Sequence, residues 1–244
     1  MNKLGLDAKI DFLNDGHTYT RQSDGKLLTG VTTILDTLNK PFLIAWAAKE
    51  VYNYLLPRQE EIKNATPEEY EKILFEAKNS RLKKSREALD SGHEAHEWIE
   101  YHVAGNDKPL PKDKEALSAV NAFIKWEEQN HPEWLASELV VASHTQDFAG
   151  TLDGLAKIGN EICLIDFKTS KQVSPEYFLQ TAAYQFCLEE MGQKVDKRII
   201  LRLPKDGKDA EEVVVPTPYD FDRDTFLHLR QVYRWNINYQ NNIK

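Results

Sequence analysis

The residues whose chemistry stands out are two acids and an amine, Asp153, Asp166 and Lys168, carried by GTLDGLAKIGNEICLIDFKTSK from Gly150 to Lys171. Two β-rich runs flank Gly159-Asn160, a dipeptide suited to a two-residue hairpin turn. Closing the hairpin there sets Asp153 directly opposite Asp166, where Cβ atoms stand roughly 4.5–5.5 Å apart and like charges destabilise a sheet. Side chains alternate along a strand, so Lys168 shares the face of Asp166 while Phe167 points to the other. One ammonium leaves one carboxylate uncompensated. A divalent cation is therefore the expected third partner, and hard oxygen ligands select Mg²⁺ or Mn²⁺ over softer metals. An isolated D-x-K triplet is more often a surface ion pair, but the matched register and the apolar residues on both strands favour a site.

A second cluster is SGHEAHEWIE, Ser91 to Glu100. His93-Glu94-Ala95-His96 is one residue short of the H-E-x-x-H pattern, whose chemistry needs two histidines at i and i+4 on one helix face. A zinc protease is excluded on that spacing. On a helix, Gly92, His96, Ile99 or Glu100, and Val103 fall near one face, so His96 points where the apolar residues point and His93 and His102 have weaker claims. A lone histidine in that setting is usually a hydrogen-bonded core residue.

The elements that must position these groups follow from pattern. His17 to Leu35 reads as two β-rich runs around an Asp24-Gly25 turn, and Pro41 to Leu56 has apolar residues near helical spacing. Thr66-Pro67-Glu68-Glu69 offers an N-cap, a proline at the first helical position and a capping-box glutamate. Helices dominate to about Gln129, and the dense basic cluster from Lys78 to Glu87 reads as a solvated helix face. From Glu133 come three β-rich runs, ELVVAS, TLDGLAKI and EICLIDFKTS. A helix with Ser174 as N-cap, Pro175 at its first position and Gly192 at its far end follows. KRIILRL and EEVVVPT flank a PKDGKD turn, and Asp220 to Tyr239 reads as a closing helix. The sum is an α/β (α+β) fold with a mixed β-sheet flanked by helices.

Composition narrows the function classes. The 244 residues carry 31 basic and 39 acidic side chains, a net charge of −8, which argues against a generally sticky polyanion coat. No run of about 18 apolar residues is present and the first residues lack a signal-peptide apolar region, so a cytoplasmic protein is the default expectation. Cys163 and Cys187 each lie in an apolar pattern, which suits buried thiols better than a disulfide or a four-cysteine cluster. No repeat, low-complexity tract or long linker appears. One domain over 1–244 is expected, with a hairpin and helical section to about 90, a core from 91 to 215 and a closing helix from 216 to 244.

The order Gly92 and His96, then Glu138, G-T-L-D with Asp153, I-D-F-K-T with Asp166 and Lys168, and Q-T-A-A-Y with Gln180 and Tyr184, resembles the RecB-like branch of the PD-(D/E)XK nuclease superfamily. The resemblance covers roughly Ser91 to Cys187. The N-terminal H-x-Y…DG…VTTIL pattern is similar, more softly, to that of stand-alone phage nucleases. Leu152 stands where the superfamily's name puts proline, which leaves the carboxylate chemistry untouched. The resemblance implies a restriction-endonuclease-like core and a Mg²⁺- or Mn²⁺-dependent deoxyribonuclease. Asp153 and Asp166 would be the main ion ligands, with the Phe167 carbonyl and His96 completing the shell. Lys168 would orient or help deprotonate the attacking water and stabilise the charged intermediate state. Glu138 would reach the metal through water, while Gln180, Tyr184 and Thr169 would hold the site and the DNA strand. No iron–sulfur cluster is implied, since the cysteine set of members that carry one is missing, and no P-loop is present. The expected partners are DNA, single-stranded or as duplex ends, and a recombination or replication protein, but no membrane. The expected activity is that of an exonuclease of phage-type recombination, repair or replication, in the cytoplasm of a bacterial or phage-infected cell. A structure-specific endonuclease and a non-catalytic DNA-binding subunit are the alternatives.

Overall fold

The structure, a computed structural model, describes residues 1–13 and 16–242. The chain divides into two compact units, Leu38–His93 and the remainder, Met1–Thr37 with Glu94–Lys244. The N-terminal hairpin thus belongs with the sheet, while the helices that follow it form a unit of their own.

The larger unit is built on a mixed sheet of eight strands: β1 (Ile10–Leu13), β2 (Thr18–Arg21), β3 (Leu27–Gly30), β4 (Glu133–Ser143), β5 (Phe148–Ile158), β6 (Glu161–Lys168), β7 (Lys197–Arg202) and β8 (Glu211–Val214). The order is β1-β2-β3-β5-β6-β7-β8, with β4 on the other edge of β5. The pairs β3–β5 and β6–β7 are parallel and the rest antiparallel. This is the restriction-endonuclease-like arrangement, a mixed sheet flanked by helices. The helices are α1 (Val31–Leu35), α2 (Phe42–Leu55), α3 (Gln59–Asn64), α4 (Pro67–Val103), α5 (Lys114–Asn130), α6 (Glu176–Glu190) and α7 (Tyr219–Asn242), with a 3₁₀ turn at Leu56–Arg58.

Local chemistry explains most of these boundaries. Gly25 takes φ +69°, a left-handed turn position that glycine reaches without strain, and the Arg21 N–H donates to the Lys26 carbonyl across the turn. Thr66 and Glu69 form the reciprocal capping box, with the Thr66 N–H donating to Glu69 Oε2 at 2.8 Å and the Glu69 N–H to Thr66 Oγ1 at 3.3 Å. Helix α6 begins at Glu176 rather than on Pro175, and Gly192 closes it at φ +85°. The β-rich reading fails at VTTIL, which is helix α1. Val31, Ile34 and Leu35 are buried at i, i+3 and i+4, and burial of that one face outweighs the β-propensity of Val, Thr and Ile. Strand β1 lies ahead of the first β-rich run that the sequence pattern marks.

One face of the sheet packs on the C-terminal part of α4 and on α5 through Ile99, Phe123, Trp126, Trp134, Phe167 and Leu201. Gly154 makes room there, since a Cβ on it would meet Trp134 Cζ3 at 2.8 Å. Phe148 of β5 packs against Phe186 of α6 and Phe226 of α7. A buried ion pair joins Arg198 of β7 to Asp222 of α7 at 2.9 Å. Among the described residues no helix is long and apolar enough to cross a membrane.

In the smaller unit, α2 and α4 enclose a shallow groove lined by Ala47, Ala48, Val51, Leu55, Leu74 and Ala77, with Lys78 and Arg81 at its rim. The buried Glu50 carboxylate pairs with Lys84. Residues 81–90 of α4 are exposed, so the basic cluster is indeed a solvated helix segment.

Candidate functional site

The site grows from the middle of β5. One edge of that strand pairs with β4 from Phe148 to Lys157. The other edge pairs with β3 at Phe148 and Ala149 and with β6 from Gly154 to Ile158, so residues 150–153 face an opening between two strands. The β5–β6 pairing, from Ile158↔Glu161 to Gly154↔Ile165, follows the register that sets Asp153 opposite Asp166, and it stops one pair short of the two acids. There the Asp153 side chain takes over the ladder's role, with Oδ2 accepting from the Phe167 N–H at 2.7 Å.

Asp166 is 1% exposed, and Lys168 Nζ stands 2.6 Å from its Oδ2. That ion contact is its main compensation, with His96 adding a smaller one, since among the described residues neither Asp166 oxygen has a well-directed hydrogen bond. Burial raises the Asp166 carboxyl to about 6; Lys168 pulls it down and Asp153 pushes it further up. Asp153 is likewise raised by burial, with Lys168 and the Phe167 N–H opposing. Burial disfavours the Lys168 charge, yet Asp166 and Asp153 more than offset it and hold the ammonium form. The ammonium also lies 4.9 Å from the centre of the Tyr177 ring, a cation–π contact.

His96 reaches the same place from α4. Its Nδ1 is 4.0 Å from Asp153 Oδ2, and its ring meets Phe167 edge-on at 6.1 Å. The other two histidines take different places: His93 is exposed, and His102 stacks on Trp98 and bonds Glu127. Glu138 of β4 is bracketed opposite Asp153 by the pairs Ser137↔Gly154 and Leu139↔Leu152. It takes φ +50°, a left-handed conformation that costs a non-glycine residue on the order of 1–3 kcal/mol. Its carboxyl is pushed up to about 8 by burial and by the carboxylates of Asp153 and Glu100. The side chain nonetheless keeps contact with solvent, so the two neighbouring carboxylates are the firmer cause.

Gln180 and Tyr184 lie one turn apart on α6, with Gln180 Nε2 donating to the Tyr184 hydroxyl at 3.0 Å. Tyr184 is buried near both aspartates, and burial first, then Asp166 and Asp153, raise its phenol. Thr169 is half-buried just past the end of β6. The structure therefore gathers Asp153, Asp166, Lys168, His96, Glu138 and Tyr184, with Gln180 behind Tyr184. The Phe167 side chain turns into the core. Its backbone N–H faces β5, and since the N–H and C=O of a strand residue project toward the same neighbour, its carbonyl faces the opening.

Sequence reading missed three contributors. Gly150 is needed because a Cβ there would lie 2.5 Å from Tyr184 Cε1. Tyr177 flanks the lysine, and Tyr19 of β2 bonds Thr151. Position alone could have flagged Gly150, since it opens the G-T-L-D run; Tyr19 is the tyrosine of the H-x-Y pattern, but nothing local names Thr151 as its partner, and nothing local marks Tyr177.

Among the described residues no three His, Cys, Asp or Glu side chains already form an ion cage. The donor set nevertheless suits a hard cation: a buried carboxylate with unspent lone pairs stands beside a second carboxylate and a backbone carbonyl.

The sequence pattern of the PD-(D/E)XK nuclease superfamily matches residues 46–239. No curated protein matches the chain. Among solved structures, an alkaline exonuclease from Laribacter hongkongensis is 12% identical over 89% of this chain and 95% of its own, with a TM-score of 0.40. The same enzyme in complex with dAMP gives 12% and 0.38, over 88% of this chain and 92% of its own. A candidate exonuclease from Eubacterium rectale is 13% identical over 60% of this chain, with a TM-score of 0.41. This chain spans 66% of that protein and 54% of a further solved chain, to which it is 14% identical over 46% of its own length with a TM-score of 0.29.

Proposed function

Because the chain belongs to the PD-(D/E)XK nuclease superfamily, we propose that it is a metal-dependent DNA exonuclease, hydrolysing phosphodiester bonds at strand ends in phage-type recombination, repair or replication. The observation that carries the chemistry is Asp166, whose buried oxygens lack hydrogen bonds beside Asp153 and the Lys168 ammonium. A scaffold gains nothing from leaving a buried carboxylate in that state.

Asp153 and Asp166 would hold Mg²⁺ or Mn²⁺, with the Phe167 carbonyl and His96 beside them. The bound ion would neutralise charge gathering on the phosphate and lower the pKa of water. Lys168, kept protonated by its two acids, supplies a fixed positive charge next to the bond that breaks. Its role is to orient water and stabilise charge, and proton removal falls to another acceptor. Glu138, across the strand pair from Asp153, is one such acceptor and can take a proton from water once ionised. Gln180 holds the Tyr184 hydroxyl against the carboxylate side of the opening, and Thr169 flanks the strand path at the end of β6.

The test incubates wild-type and Lys168→Ala protein with EDTA, Mg²⁺ or Mn²⁺ on end-labelled linear single-stranded, linear duplex and closed circular DNA. Metal-dependent loss of linear but not circular DNA, absent from the variant, is the expected result. Cutting of circles would replace the exonuclease with an endonuclease. DNA binding without cutting in either metal would make the chain a binding subunit.

A further inference from the structure

Between β3 and β6 the open stretch of β5 is met by a side chain from far away in sequence. Tyr19 of β2 lies over it with its hydroxyl 3.2 Å from Thr151 Oγ1, and either atom can be the donor. The Tyr19 ring is 5% exposed and stacked on Phe12 at 4.9 Å, so the hydroxyl is held in place. Thr151 is half-buried, and strand alternation puts it on the same face of β5 as Asp153, roughly 6–7 Å along the strand.

The hydrogen-bond count of this pair is informative. Each hydroxyl has one O–H to donate and two lone pairs to accept with. The bond between them uses one O–H, and this is the only hydrogen bond of either group among the described residues. Whichever way that bond runs, one O–H remains to be donated. It stands next to a row of carboxylates that repel an approaching DNA strand, where a neutral donor can meet an anionic oxygen without adding a charge to be desolvated. Resting on the nuclease reading above, we propose that the Tyr19–Thr151 hydroxyl pair is a binding subsite that donates one hydrogen bond to a phosphate oxygen of the DNA strand beside the reacting one.

The pair is redundant by construction, and that gives the test its signature. Wild type, Tyr19→Phe, Thr151→Val, Thr151→Ser and the double variant Tyr19→Phe/Thr151→Val are compared on a fluorescein-labelled oligonucleotide in EDTA by anisotropy. Cleavage with metal gives KM and kcat for the same set. After either single change the surviving hydroxyl has its O–H free to donate, so affinity should fall by no more than about threefold. The double change removes the donor and should weaken binding about tenfold to a hundredfold, the usual range for a hydrogen bond to a charged group. KM should rise in step while kcat at saturating DNA holds, and Thr151→Ser should match wild type. A double variant no weaker than the worse single variant would overturn the proposal, as would a loss that tracks a fall in melting temperature. Wild-type protein that binds no DNA in EDTA at low salt would overturn it as well. If hydroxyl-dependent binding is found but no metal supports cleavage, the subsite stands and the nuclease reading falls.

Discussion

Two buried cation–carboxylate pairs in one sheet are finished to different degrees. Arg198 donates to the Phe178 and Thr217 carbonyls at 3.0 Å and pairs with Asp222, which also accepts from Thr217 Oγ1 at 2.6 Å. Every element around it gains a tie: α6, β7 and α7 meet at one guanidinium. Lys168 and Asp166 sit two strand positions apart on the neighbouring β6, and beyond that close ion contact neither oxygen of the acid has a well-directed hydrogen bond among the described residues. The finished pair belongs to the scaffold. The unfinished one keeps lone pairs in reserve, which is what a cation or a reacting group requires.

That contrast can be broken most sharply at the lysine. Lys168→Ala should lower cleavage by about two to three orders of magnitude or more, while the circular dichroism spectrum stays that of the wild type. Arg198→Ala should do the opposite, costing about 3–5 kcal/mol in urea unfolding by stranding the buried Asp222, with activity per folded molecule retained. Should Arg198→Ala prove harmless to stability, the distinction drawn from hydrogen-bond completeness would lose its footing. Gly150→Ala should combine both effects in smaller measure, because a methyl group 2.5 Å from the Tyr184 ring forces the ring aside. About 1–3 kcal/mol of stability and a several-fold loss of kcat are expected.

The pH dependence sharpens the comparison further. Asp166 is raised to about 6, so it is protonated at pH 5 and ionised at pH 8. Mg²⁺ should therefore raise the melting temperature more at pH 8 than at pH 5, and EDTA should remove the difference. The smallest effect is expected at Glu138. Its carboxyl is pushed up from an ordinary 4.5 toward about 8, so the fold disfavours its ionised form increasingly as pH rises through that window. Metal-free protein should lose stability through this group as pH rises across that window, and Glu138→Gln should flatten the slope.

The carboxylates were legible in sequence because a hairpin is local. Gly159-Asn160 fixes the register, the register fixes which acids face each other, and alternation places Lys168 beside Asp166. The Thr66–Glu69 capping box was legible for the same reason. His96 could be placed on the right helix face, but its neighbour Asp153 belongs to a strand more than fifty residues away, and only the family resemblance joined them. What stayed hidden depends on packing across the chain. The fit of Tyr184 over Gly150, the reach of Tyr19 to Thr151 and the helical state of Val31–Leu35 are settled by partners that no local pattern names. The left-handed backbone at Glu138 is of the same kind.

The opening at residues 150–153 also has a consequence for how the protein comes into being. Its rims are supplied by β3, within the first thirty residues, and by β6, more than a hundred and thirty residues later. Helices and the β5–β6 hairpin can form from neighbouring residues, whereas the opening exists only once both distant segments have docked on β5. Closure of such long loops is slow compared with local structure formation. A nascent chain therefore carries its acids and its lysine long before they are gathered in one place, and the opening beside them is among the last features the folding molecule acquires.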